Sequence, residues 1–511
     1  MANQPNPYTD PNASTALMPR PQAPQGSTVP APIRQDVVRV PFMPVKPPEE
    51  EIYRVDSKRK IVRRIVVYGL LSLFLGLLVF VFIEKRPAFL LDIPYIGPAI
   101  EGVSLSWSGL LVYSSIVALV LFLCILLFRY FALLNLAYVN TAKHAGDTAE
   151  GSNFTPPISI IVPAYNEGVL LRETVMSLLQ QDYPQFEIVI VDDGSKDDTR
   201  AIANELIGQY SHITVKLVEK ENGGKSTALN AGIQVCTSDF VLCVDGDSQL
   251  SPNTLRSCIH HFLDERVGAV AGNVKVMNRN NLWTTLQALE YVEGLNMARA
   301  AQSSLKLVNI IPGPLGMFRK QAIVEAGWYD SDTYAEDCDI TLQLISDGWK
   351  VEYEPDAISF TEAPNTLPTL LKQRYRWTRG ILQAIRKHKG LFRVKDGNLG
   401  GAVVMYLMAF ESLVWPVMNI FANLYFVIIA GVFGLSSYLV FWWLSLTILD
   451  LVAAFYCVAV EKEEVRLIFY SIFYRLFFIL IIDVCKTFAT VEEFLGIGMT
   501  WGKLQRLGKA A

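Results

Sequence analysis

Cysteine is sparse: seven residues in 511 (Cys124, Cys236, Cys243, Cys258, Cys338, Cys457 and Cys485), no two of them forming a CxxC pair. That scatter excludes a thiolate zinc cluster and a disulfide framework, and it reads as ordinary thiols in a reducing compartment. Histidine is scarcer still. Of the five, His260 and His261 are adjacent rather than at a helical ligand spacing, which argues against a histidine-rich metal site. Any metal is therefore expected on oxygen. The chain has no excess of positive charge, its net charge being -4, so a nucleic-acid partner is not expected. Asn222-Gly223-Gly224-Lys225-Ser226 ends like a phosphate-binding P-loop, but Glu219 stands where that motif needs its first glycine, and an ATPase reading fails there.

Apolar sequence is plentiful: 51% of the residues are hydrophobic and the mean hydropathy is +0.29, which points to a membrane component. Almost half of the 26 prolines precede Glu51 in a stretch with few large apolar residues. Residues 1 to 55 are therefore expected to form a disordered, Pro-rich cytoplasmic tail. Ile65 to Ile83 carries no charge and matches the roughly 20 residues a transmembrane helix needs. Lys58, Arg59, Lys60, Arg63 and Arg64 precede it, which puts that end in the cytoplasm. A second run, Leu105 to Phe128, ends at Arg129 and returns the chain, so 56–139 holds two membrane helices.

Between about 140 and 395, apolar runs alternate with helical patterns, the mark of an α/β domain with a mostly parallel, Rossmann-like sheet. The strand candidates are ISIIVPAY, FEIVIVDD, ITVKLVE and FVLCVDGD, separated by VLLRETVMSLLQQ, DTRAIANELIGQY and STALNAGIQVC. Residues 396–511 turn apolar again, with runs at Ala402 to Phe433, Leu439 to Val460 and Leu467 to Ala489 before a cytoplasmic tail. Glu411 and Pro416 predict a break in the first, into an interfacial or crossing helix followed by a second. Arg475, Asp483 and Lys486 interrupt the last, which fits a channel wall better than a lipid-facing helix.

The chemistry-bearing residues cluster at predicted strand and helix ends. Asp245-Gly246-Asp247 follows the strand FVLCV, so two carboxylates flank a tight glycine turn and offer hard oxygens to a divalent cation. Asp192 and Asp193 end another strand and can accept hydrogen bonds from a base or ribose, while Tyr165, near Glu167, can cover the ring. Lys225 opens a helix, where it can offer charge to a diphosphate or simply be a helix-start lysine. Glu336-Asp337-Cys338-Asp339 begins another helix, where acids are also simply good first-turn residues. Gln373-Arg374-Tyr375-Arg376-Trp377 combines an indole that can stack on a sugar with guanidinium groups that can steady a leaving diphosphate, and it also reads as an interfacial Arg/Trp helix.

Taken in order, PAYNE, DDGS, GGKSTALN, DGD, AEDCD and QRYRW resemble the motif series of family 2 inverting glycosyltransferases with a GT-A fold, specifically the processive membrane synthases of poly-N-acetylglucosamine, chitin, hyaluronan and cellulose. The resemblance implies a GT-A cytoplasmic domain held between N-terminal and C-terminal transmembrane helices. It makes Asp192 and Asp193 the nucleotide-binding acids, joined in donor binding by Tyr165, Glu167, Lys225 and Asp245. It makes Asp245 and Asp247 the ligands of Mg²⁺ or Mn²⁺, and Asp337, beside Glu336, the general base. Gln373, Arg374, Arg376 and Trp377 then belong to the acceptor and diphosphate region. One departure is visible: Ala335 stands where the family often has threonine, so a hydroxyl contact is missing.

The expected activity is transfer from a UDP-sugar, UDP-N-acetylglucosamine or UDP-glucose, to a growing β-linked glycan, with its export across the cell membrane. Partners are then the nucleotide-sugar donor, the glycan, the bilayer and accessory export or modification proteins. The nearest alternative is a non-processive enzyme that adds a single sugar to a membrane lipid.

Overall fold

A computed structural model describes residues 38–39, 107–146, 153–394, 398–433 and 437–499. The predicted span Ile65 to Ile83, its basic flank, the tail after Thr500 and all of 1–55 except Val38 and Arg39 lie outside them.

Among the described residues ten strands form one sheet: β1 (Val38–Arg39), β2 (Ile158–Ala164), β3 (Phe186–Asp192), β4 (Gly208–Tyr210), β5 (Ile213–Glu219), β6 (Phe240–Cys243), β7 (Ser248–Leu250), β8 (Val267–Val276), β9 (Gly316–Arg319) and β10 (Lys350–Thr361). The order is β1-β5-β3-β2-β6-β9-β8-β10-β7, with β4 beside β5. From β1 to β6 the neighbours along this path are parallel, as expected. The other half is mixed: β9 runs antiparallel to β6 and β8, and β7 antiparallel to β10, while β8 and β10 are parallel. Two corrections follow. Val38 and Arg39, placed in the disordered tail, pair with Val218 and Glu219, and Gly208–Tyr210, placed at the end of a helix, form an edge strand.

The parallel half is covered on both faces, which is why its strands read as near-continuous apolar runs. Ile158, Ile160 and Val162 pack on Leu171, Val175 and Leu178, whereas Ile161 packs in the opposite layer with Ala228 and Leu229. Each such side chain contributes about 1.5–3 kcal/mol when fully buried.

The helices in chain order are α1 (Trp107–Gly146), α2 (Leu171–Leu179), α3 (Thr199–Leu206), α4 (Lys225–Val235) and α5 (Thr254–Ile259). Then come α6 (Leu282–Leu289, through a π-helical segment Glu290–Asn296, to Met297–Ser303), α7 (Lys320–Glu325), α8 (Glu336–Ser346) and α9 (Leu367–Lys387). Last are α10 (Leu399–Ala409, through Phe410–Val414, to Trp415–Phe433), α11 (Ser437–Val460) and α12 (Leu467–Phe473, through Tyr474–Phe478, to Ile479–Leu495).

Four of them are long and apolar enough to cross a membrane: Ile116–Thr141, Leu399–Val427, Leu439–Val460 and Leu467–Leu495. α1 does not end at Arg129 but runs on to Gly146. Its charge is met inside the helix bundle, because Arg129 Nε donates to Glu411 Oε1 at 2.7 Å and the guanidinium lies 5.0 Å from the Trp415 ring. α10 is likewise not broken at Pro416. It passes through a π-helical segment just before that proline, and this divides its environment instead of its path. Val404, Met405 and Met408 sit in the core of the sheet domain, whereas Trp415 and Ala422 pack with α1 and α11.

α11 ends on the domain, where Glu461 accepts from Asn273 Nδ2 at 2.5 Å. α12 touches the domain at both ends, through Leu467 against Val274 and Val276, and through Glu493, whose Oε2 accepts from Arg379 Nε at 2.8 Å.

Candidate active site

The carboxyl ends of β2, β3 and β6 open on one crevice, as doubly covered sheets arrange it. At the end of β2, Asn166 takes a left-handed φ of 53° and is fixed on both sides. Its N–H donates to Ser195 Oγ at 3.0 Å and its Oδ1 accepts from Lys196 N at 2.8 Å. Asp192 is buried and spends Oδ1 on Ser195 N at 3.0 Å. Asp193 turns the other way: its two oxygens accept Gly223 N and Gly224 N at 3.0 and 2.8 Å, and Lys220 Nζ also donates to it. One carboxylate thus holds the loop that enters α4.

At the first turn of α4, Lys225 Nζ stands 2.5 Å from Asp245 Oδ1 and 3.2 Å from Glu336 Oε1. Burial disfavours the charged amine, but Asp245, Glu336 and Asp337 outweigh that and raise it above the ordinary lysine range. Gly313 makes room for this pair. A Cβ there would fall 2.6 Å from Lys225 Nζ and 3.1 Å from Asp245 Oδ2.

Glu336 and Asp337 head α8, whose first turn also carries Asp339. Asp337 Oδ1 accepts from Cys338 N at 2.8 Å. Withdrawal from water, then the Glu336 charge, pushes its carboxyl up to about 6, against the opposing pull of Lys225 and Arg376. α9 is pinned to α8 at its end, where Asp339 accepts from Lys387 at 2.8 Å and lies 2.7 Å from His388 Nε2. At its middle α9 has Gly380, where a Cβ would come 2.6 Å from Ala335 Cβ. Close contact at Ala335 is thus what this position provides in place of a threonine hydroxyl.

Lys225, Asp245, Glu336 and Asp337 face one cavity of about 1790 Å³, well above the 300–1,000 Å³ of common small-molecule sites. Of the predicted residues, Tyr165, Glu167, Asp193, Lys225, Asp245 and Asp247 line it at the strand ends, and Glu336, Asp337, Gln373, Arg376 and Trp377 line it along α8 and α9. Asp192 and Arg374 do not line it. Asp192 is buried in the β3 turn, and Arg374 pairs with Glu290 Oε2 at 2.5 Å while lying 4.3 Å from the Trp377 ring, so it positions the indole from behind.

Beyond Trp377 the cavity continues between the apolar helices, past Arg129, Glu411, Trp415, Tyr474, Asp483 and Lys486. Of the three charges expected on a channel wall, Asp483 and Lys486 line it. Arg475 does not, because it is paired with Asp450. Arg129 and Glu411 were not legible as lining residues, since only the pairing of α1 with α10 brings them together.

Asp245 and Asp247 flank Gly246 on the cavity wall, and Asp247 Oδ1 accepts from Ser248 Oγ at 3.3 Å. The ammonium of Lys225, between Asp245 and Glu336, marks a position of cationic charge, so the donor set fits a hard divalent ion. Among the described residues the tighter groupings of possible ligands lie elsewhere, at His260, His261 and Glu354 and at Asp330, Asp332 and Asp339.

Residues 156–380 match the family model described as Glycosyltransferase like family 2. The domain is a family 2 glycosyltransferase. The chain is similar to a poly-beta-1,6-N-acetyl-D-glucosamine synthase of Staphylococcus aureus, 33% identical over 224 residues, which are 44% of this chain and 54% of that relative. The chain thus spans about half the length of the Staphylococcus aureus relatives it matches. A synthase of the same name from Staphylococcus epidermidis is 29% identical over 344 residues, 63% of this chain and 80% of the relative. A solved mannosyltransferase from Pyrobaculum calidifontis, in complex with GDP-Man and Mn2+, covers 68% of this chain and 99% of its own at 21% identity and a TM-score of 0.47, a likeness too distant to carry ligands across.

Proposed function

We propose that the transferase moves a sugar from UDP-N-acetylglucosamine, with UDP-glucose as the other candidate donor, onto the end of a growing β-linked polysaccharide, by a single inverting displacement. The observation that carries this reading is the placement of Asp337, between the Lys225–Asp245 pair and a cavity that leads past Trp377 into the apolar helices. The names of the Staphylococcus relatives support a polymer of N-acetylglucosamine.

In this mechanism Asp193 and Tyr165 hold the nucleotide, with Glu167 beside the Asp245–Asp247 turn. Asp245 and Asp247 would hold Mg²⁺ or Mn²⁺. Such an ion supplies positive charge for the donor's diphosphate. Asp337 removes the proton from the acceptor hydroxyl as that oxygen attacks the anomeric carbon, and Glu336, beside it, keeps its carboxyl poised. Arg376 stabilises charge on the departing diphosphate, and Trp377 offers its ring to the acceptor sugar while Gln373 supplies hydrogen bonds. Arg374 holds the indole in place.

The same proposal puts the catalytic domain on the cytoplasmic side of the cell membrane. α10 beyond Trp415 leads outward, α11 returns, and α12 lies on the domain, contacts that support an even number of crossings after the sheet. The wide cavity between these helices supports export of the glycan. Separate incubations of purified protein with radiolabelled UDP-N-acetylglucosamine and UDP-glucose, with Mn²⁺, test the donor. Incorporation of label from the former into β-linked product is expected, and incorporation from neither would overturn the proposal.

A further inference from the structure

The grouping of His260, His261 and Glu354 stands apart from the cavity, none of the three lining it. α5 runs into a tight 3₁₀ turn, His260–Leu263, that carries the two histidines. β10 carries Glu352 and Glu354 two residues apart, so both carboxylates stand on one face of the strand. The two elements meet so that both imidazoles converge on one oxygen. His261 Nε2 lies 2.8 Å and His260 Nε2 3.7 Å from Glu354 Oε2, and the ring centroids are 4.2 Å apart.

We infer that His260, His261 and Glu354 form a binding site for a borderline divalent transition cation, with zinc as its natural occupant. Bonds of about 2.0–2.1 Å around a tetrahedral zinc ion put neighbouring ligand atoms roughly 3.3 Å apart. The 2.8 and 3.7 Å separations straddle that value, and all three ligand atoms lie within 4.8 Å of one another. Two further contacts are those a metal-bound set needs. His261 Nδ1 lies 2.7 Å from Glu352 Oε2, a carboxylate that fixes the ring with Nε2 turned to the ion. Glu354, fully buried, spends Oε1 on Asp356 N at 2.8 Å, which leaves Oε2 aimed at the histidines. Nitrogen and oxygen donors in this number suit zinc, whereas magnesium and calcium take oxygen alone. The adjacency of the two histidines, read from sequence as unsuited to a metal, is overcome by the 3₁₀ turn, which brings their rings together. The bound ion would tie this turn to β10, whose far end carries Thr361 of the cavity wall.

The test is calorimetric titration of tag-free, chelator-stripped full-length protein with zinc chloride, with manganese chloride present at saturation to fill the catalytic site. Wild type is expected to bind one equivalent more than His260→Ala, and zinc is expected to raise the thermal midpoint of wild type alone. Glu352→Gln should weaken binding about 10- to 100-fold at unchanged stoichiometry. Glycosyl transfer with Mn²⁺ reports that each variant is folded, and His260→Gln replaces the alanine variant if that one fails. Equal zinc stoichiometry in wild type and in the folded His260 variant overturns the inference, and His261 is then an imidazolium held between two glutamates.

Discussion

The two ends of the cavity hold their charges differently. At the domain end, acids are held by fixed local donors: Asp193 by Gly223 N and Gly224 N, Asp245 by Lys225, and Asp337 by Cys338 N. At the membrane end, charged and polar side chains meet helix to helix, Arg129 with Glu411, Arg475 with Asp450 and Asp483 with Asn419. The first arrangement fixes acids to their own loops and helix starts, a surface that would meet the proposed nucleotide diphosphate through a divalent cation at Asp245 and Asp247. The second uses charge to fasten helices and leaves Trp415 and Tyr474 on the wall, suited to a neutral, polyhydroxylated chain.

Substitutions at either end sharpen or break that contrast. The largest effect is expected at their junction: Asp337→Asn lowers the rate of transfer by about 10²–10⁴-fold, the span a general base contributes, while donor binding measured by calorimetry persists. Undiminished turnover would remove Asp337 from the chemistry. Next, Gly380→Ala forces α9 away from α8, because the new Cβ meets Ala335 Cβ at 2.6 Å and Ala335 N at 2.7 Å. Overpacking of this kind costs about 1–3 kcal/mol, to be read from thermal unfolding, and turnover should fall with it because α9 carries Arg376 and Trp377. A variant as stable and active as wild type would show that the α8–α9 contact does not set the site.

The pH profile of kcat/KM comes third. A base works deprotonated, and an aspartate near its usual value of about 3.9 would stay so down to pH ~4. Burial and Glu336 push Asp337 up to about 6, so the rate is expected to be level above that pH and to fall about tenfold per unit below it. A profile flat to pH ~4 would assign the proton transfer to another group. The smallest effect belongs to the membrane end: Glu411→Gln leaves Arg129 without its charge partner, and is expected to shorten the product while the initial rate of nucleotide release is unchanged. Equal loss of both would mean that the two ends do not divide their tasks.

The domain end was the more legible in sequence, and the reason is local. β2, β3 and β6 are short, largely apolar runs, and Tyr165, Asp193 and Asp245 follow their ends within two residues, so strand and chemistry are adjacent in the chain. β8 reads VGAVAGNVKV, too rich in glycine and alanine to stand out although every residue is buried, and the register of β10 slips between Glu354 and Ile358. Both were missed, and with them the mixed half of the sheet, where β9 and β7 run against their neighbours. Asp192 and Asp193 were indistinguishable as neighbours until the β3 turn claimed one of them. The role of Arg374 depends on Glu290, 84 residues away, and the lining role of Arg129 on Glu411, 282 residues away, which no local pattern reveals.

The size of the product tests the central claim most directly. Purified protein in lipid nanodiscs, given UDP-N-acetylglucosamine and Mn²⁺, is predicted to release a β-linked glycan of many sugars, resolved by gel filtration before and after β-specific glycosidase digestion. Recovery of only a monoglycosylated lipid would contradict a cavity built to lead a growing chain from Asp337 into the membrane helices.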